Sequence, residues 1–148
     1  MIGFDGVPLK LPHRPVELWP PLAWAYLGDA VYEWYVRWHV LTDANLRPNT
    51  LHKSTTKFVS AEAQSKALSV LLNELSEKEK EIVQRGRNAK SGHLPKNASV
   101  HVYRQSSGFE AMIGYVYASG NQERVMQILA RTVEIIENNI VPASQKEE

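Results

Sequence analysis

The sequence predicts an all-α helical bundle, and three observations carry that expectation. Apolar residues recur at three- and four-residue intervals through most of the 148-residue chain, the spacing of a helix with one face turned inward. Serines followed by acidic residues stand where those periodic stretches begin, as helix N-caps do. No run alternates apolar and polar residues between turn signals in the manner of a hairpin, and no internal repeat is visible.

In chain order, residues 1–15 hold three prolines and two glycines and are expected to form an irregular arm. Helices are predicted over residues 17–42, 49–58, 60–75, 76–88, 99–119 and 121–140. Ser60 precedes Ala61, Glu62 and Ala63, and Ser76 precedes Glu77 and Glu79, so each pairs a capping hydroxyl with a carboxylate in the first turn. Gly120 is placed to end the fifth helix in a left-handed cap. The domain division read from this pattern is an arm at 1–15, one folded domain at 16–141 and a polar tail at 142–148.

Composition narrows the functional classes. The chain is 43% hydrophobic and 22% charged, the balance of an ordinary globular domain, and it has no cysteine. Disulfide, zinc-ribbon and thiol-nucleophile chemistry are therefore excluded, and a reducing, cytoplasmic setting is expected. No membrane partner is expected, because no apolar run approaches the twenty or so residues that a spanning helix needs. The five histidines show no HExxH spacing, and neither a Walker loop nor a GxGxxG segment occurs.

A formal net charge of +1 conceals an uneven distribution. Residues 82–109 contain no acid but carry Arg85, Arg87, Lys90, Lys96 and Arg104, and Arg47, Lys53 and Lys57 form a smaller basic island. Such surfaces are the footprint of a protein that touches phosphates. Arg85 and Arg87 also suit a structural role, since cations near a helix C-terminus offset its dipole.

Two carboxylates stand where hydrophobicity argues against them. The first helix is apolar nearly all round and holds all four tryptophans among residues 19–38, so it is expected to be central and buried. Asp29 nevertheless lies within it beside Gly28. In the fifth helix the sole charge between Arg104 and Glu123 is Glu110, whose own face carries the small residues Ser106, Ser107, Gly114 and Ala118. Small residues let a second backbone approach, and the equally small stretch around Ala25 and Gly28 is the expected partner. Two facing carboxylates away from water raise one another's pKa unless they are paired or bind metal, and a hard divalent cation such as Mg²⁺ resolves the conflict. The same spacing also suits two core acids satisfied separately, Asp29 by Arg37 or by a helix terminus.

At these residues the chain resembles a known family. AYLGDAV at 25–31 is similar to the LGDAV signature of the ribonuclease III catalytic domain, and FEAMIG at 109–114 is similar to its EA-x-x-G helix. The resemblance extends to Mini-ribonuclease III, the short branch without a double-stranded-RNA-binding domain, through LHKS at 51–54, VSA at 59–61, RGRNAKS at 85–91, PKN at 95–97 and YR at 103–104. It implies a ribonuclease III-like catalytic domain, and a homodimeric, Mg²⁺-dependent endoribonuclease that cuts double-stranded RNA in the maturation of precursor 23S ribosomal RNA, with ribosomal proteins as candidate further partners.

By the same resemblance Asp29 and Glu110 match the catalytic, metal-holding aspartate and glutamate. Two further acids of full-length ribonuclease III are replaced here by Leu22 and Ser107, which questions a second metal site. With no appended RNA-binding module, phosphate contacts fall to Arg85, Arg87, Asn88, Lys90, Lys96 and Arg104. Duplex RNA is read mainly through its shape, phosphates and 2′-hydroxyls, so binding is expected to depend little on sequence and steeply on salt. The missing acids also leave open a non-catalytic RNA- or ribosome-binding module with the same fold. A small helical DNA-binding regulator is a further alternative, though no helix-turn-helix is recognisable.

Overall fold

Two adjacent prolines set where the first long helix begins. The computed structural model describes residues 9–42, 45–89 and 99–140, and in it α1 spans Pro21–Leu41, with Pro20 as N-cap and Pro21 at the first helical position. Proline is favoured there because its missing N–H would be unpaired anyway and its φ is already helical. The expected start at residue 17 is therefore corrected: Val16–Leu18 form a separate 3-10 turn, pinned to α1 by the Trp24 indole, which donates to the Val16 carbonyl at 2.9 Å.

The remaining helices are α2 (Pro48–Val59), α3 (Ala61–Leu71), α4 (Glu77–Asn88), α5 (Val100–Ala118) and α6 (Gln122–Ile140). The expected caps form. The Ser60 hydroxyl accepts from the Ala63 N–H, and Ser76 and Glu79 close a reciprocal capping box. Gly120 adopts φ 85° after α5. The third helix ends at Leu71 rather than 75, because Leu72–Glu74 tighten into a 3-10 turn. Among the described residues there is no strand, and no helix is long and apolar enough to cross a membrane.

The central helix is α5, not α1. Ten of its nineteen residues are buried, and it packs against α1, α3, α4 and α6. Phe109, Met112 and Ile113 are fully enclosed; truncating such a side chain costs about 2–5 kcal/mol. Across the α1–α5 contact, Tyr32 meets Phe109 edge to face at 5.0 Å, and its hydroxyl donates to the Phe58 carbonyl at 2.8 Å, tying in the end of α2. On the far side, Glu79 of α4 receives Nε and Nη2 of Arg124 from α6, each at 2.8 Å.

Helix α1 is buried along one side only, which corrects the expectation that it is enclosed all round. Trp24, Val31, Tyr32, Val36 and Val40 are buried, whereas Tyr26 is 85% and Trp38 67% exposed. Its outer surface carries the exposed apolar side chains Leu22, Tyr26, Trp34, Trp38 and Leu41.

Candidate active site

Glycine decides where α1 and α5 cross. A Cβ on Gly28 would overlap the carbonyl oxygen of Glu110, and one on Gly114 would overlap the carbonyl oxygen of Trp24. The two backbones are therefore in direct contact, and Asp29 and Glu110 sit at that crossing. On the opposite flank of α5, a Cβ on Gly86 of α4 would lie 2.7 Å from the Ala111 methyl and 2.9 Å from the Gly108 Cα. Helix α5 is thus gripped at the level of Glu110 by α1 on one side and by the C-terminal half of α4 on the other.

The two carboxylates differ in setting. Asp29 is exposed at the rim, and partial desolvation, then the nearby Glu33, raise its pKa. Glu110 is half-buried; its carboxyl is pushed up to about 7, first by desolvation and second by the charge of Asp29, while hydrogen bonds from Gln64 and Ser106 act in the opposite direction. The repulsion falls on Glu110, the more desolvated of the two, which releases its proton second. The expectation of two fully buried acids is corrected for Asp29, because α1 turns that side chain toward its uncovered face.

Neither carboxylate is neutralised by a cation among the described residues. Arg37, the alternative partner of Asp29, is taken by Glu33 at 2.9 Å, and Arg124 and Arg131 of α6 are taken by Glu79 of α4 and by Glu74 of the 3-10 turn before it. Two oxygen-donor side chains with uncompensated charge suit a hard divalent cation that completes its shell with water. Among the described residues no group of three or more His, Asp or Glu converges.

Of the expected RNA-contacting residues, Arg85 is exposed with its guanidinium 4.7 Å above the Trp24 ring. Asn88, at the end of α4, and Arg104, in the first turns of α5, are also exposed. Arg87 is half-buried, with its Nε enclosed and unpaired, so it belongs in part to the α4–α5 contact. Lys90 and Lys96 lie outside the described residues, as do residues 1–8 of the expected arm and the tail from 142.

Sequence reasoning missed Gln64. This α3 residue is 1% exposed and bonds to Ser106, one turn before Glu110, at 2.7 Å. Its signal was legible: a polar residue on the apolar face shared with Ala67, Leu68 and Leu71 is the same kind of anomaly as Asp29 and Glu110.

The sequence matches the Ribonuclease III domain family over residues 22–121, a span that contains the whole crossing. It is 45% identical over 84% of its length to a Mini-ribonuclease 3 of Brevibacillus brevis, covering 92% of that protein. It is 46% identical over 93% of its length to one of a Thermoanaerobacter species, covering 96% of it. The chain belongs to the Mini-ribonuclease 3 family. A crystal structure of a Fusobacterium nucleatum protein, 28% identical, superposes with a TM-score of 0.72 over 80% of this chain and 95% of the other. As a Mini-ribonuclease 3, the protein is an endoribonuclease of the ribonuclease III type, and the readings as a non-catalytic module and as a DNA-binding regulator are set aside.

Proposed function

We propose that the protein hydrolyses phosphodiester bonds of double-stranded RNA with Mg²⁺ held by Asp29 and Glu110, acting as a cytoplasmic homodimer on precursor 23S ribosomal RNA. The observation that carries this reading is the half-buried carboxylate of Glu110, set beside Asp29 with no cation among the described residues to neutralise it. When bound there, the ion supplies activation of water and neutralisation of charge at the phosphate. Glu110 holds the inner side of the site, Asp29 holds the outer side at the rim, and the backbone contact at Gly28 and Gly114 keeps the pair in register.

Arg85, Asn88 and Arg104 present donors to the phosphates, assisted by Arg87, Lys90 and Lys96; the RGRNAKS resemblance and the absence of acids across residues 82–109 support that role. The outer side of α1 supports the homodimer. Leu22, Tyr26, Trp34, Trp38 and Leu41 are all exposed there, an apolar stripe of the kind that a second subunit covers. The stripe runs beside Asp29, so the pairing places the partner next to the site. The folded domain is assigned to residues 16–141, and precursor 23S ribosomal RNA and ribosomal proteins as partners rest on the resemblance to the short branch.

The test is a cleavage assay on long double-stranded RNA. Mg²⁺ is expected to support cleavage and EDTA to stop it. Asp29→Asn is expected to lower the rate at least about a hundredfold, the upper end of what disturbing even a ligand's outer partner costs. Cleavage that persists in EDTA or in Asp29→Asn would overturn the assignment.

A further inference from the structure

We propose that Gln64 is a positioning residue for the metal site, its carboxamide locked between the Val59 carbonyl and the Ser106 hydroxyl so that it holds the Glu110 carboxylate beside Asp29. The proposal rests on the metal-dependent reading above and adds a residue on a third helix to it.

Gln64 is enclosed on the inner face of α3, where an amide is costly unless its hydrogen-bonding groups are satisfied. Its Nε2 donates to the carbonyl of Val59, the last residue of α2, at 3.2 Å, pairing an acceptor that the helix end leaves free. Its Oε1 accepts from the Ser106 hydroxyl at 2.7 Å, and that hydroxyl lies 3.5 Å from Oε1 of Glu110. Gln64 and Ser106 both act on the Glu110 carboxylate in the sense that favours its charged form.

The chemistry allows only one orientation of this amide. The Val59 carbonyl stands on its nitrogen side and the Ser106 hydroxyl donor on its oxygen side. Other side chains fail there for separate reasons. A carboxylate would set lone pairs against the Val59 carbonyl and a second negative charge near Glu110. Lysine or arginine would neutralise Glu110 permanently and remove the charge a cation needs, and leucine would leave the Val59 carbonyl unpaired and Glu110 free to turn. A neutral donor orients the carboxylate and leaves its charge available. With only two carboxylates at the crossing, the aim of the inner one is set by groups that do not themselves touch the ion.

The probe is Mn²⁺ binding to the full-length, metal-free protein, followed by loss of the free-ion electron paramagnetic resonance signal below the melting temperature of each variant. Glu110→Gln serves as reference and is expected to abolish specific binding. Gln64→Leu is expected to weaken binding about tenfold to a hundredfold. Ser106→Ala, which leaves the amide bond to Val59 intact and is mild enough to fold, is expected to fall between Gln64→Leu and wild type. In cleavage assays Gln64→Leu is expected to raise the Mg²⁺ concentration for half-maximal rate by the same factor and to regain most of the rate at saturating Mg²⁺, a rescue that a packing defect does not show. If Glu110→Gln loses Mn²⁺ while both other variants bind like wild type, the role of Gln64 is overturned and the metal reading stands. If Glu110→Gln binds like wild type, the metal reading itself fails.

Discussion

Glu110 makes stability depend on pH in an unusual sense. Carboxylates held by arginine, such as Glu79 against Arg124, have lowered pKa values and lose their contribution as pH falls. The Glu110 carboxyl is raised instead, from 4.5 to about 7. Between those values the metal-free folded protein keeps a proton that the unfolded chain has released, so lowering the pH through this window stabilises the fold. Glu110→Gln is expected to remove that gain, on the order of a few kcal/mol. Urea denaturation of both proteins in EDTA at pH 7.5 and pH 5.5 measures it: wild type is expected to gain more stability at the lower pH than the variant does, and equal pH responses would refute the assignment. Both acids were legible in the sequence because each breaks an apolar helix pattern. That Asp29 lies at the rim and Glu110 inside was not, since periodicity identifies a helix face but not what covers it.

Among the helices, the α1–α5 crossing is the joint on which the site depends. Gly114→Ala forces a methyl into the Trp24 carbonyl oxygen, and rigid backbone on both sides leaves no flexible end to yield. Overpacking of this kind costs about 1–3 kcal/mol or more. The expected outcome is a melting temperature lowered by roughly 2–4 °C per kcal/mol, together with weakened Mn²⁺ binding, because the two carboxylates separate as the helices part. An alanine that melts and binds as wild type would show that the backbones do not touch. Most helix ends were readable from local chemistry: Ser60, Ser76 and Gly120 cap where their side chains or backbone freedom indicate. The start of α1 was misplaced because the apolar pattern continues through Trp19 and Pro20, although the paired prolines hold the chain extended up to Pro21.

Among the described residues of the molecule, α1 exposes an apolar stripe. The stripe from Leu22 to Leu41 on α1 led the helix to be read as central, yet within one chain it faces outward. The homodimer proposed above would reconcile the two. Sedimentation at micromolar concentration is expected to give a dimer for wild type and a monomer for the double variant Trp34→Glu, Trp38→Glu; a monomeric wild type, or a dimeric variant, would remove the stripe from the interface.

Helix identity, capping and the two misplaced acids are written in contacts three or four residues apart, and such contacts can be read directly from order along the chain. Which helix lies at the centre, which side of α1 stays bare, and how Gln64 reaches Ser106 forty-two positions away depend on how whole helices pack. That packing is set by the volume and shape of surfaces brought together from distant parts of the chain, and local spacing does not encode it.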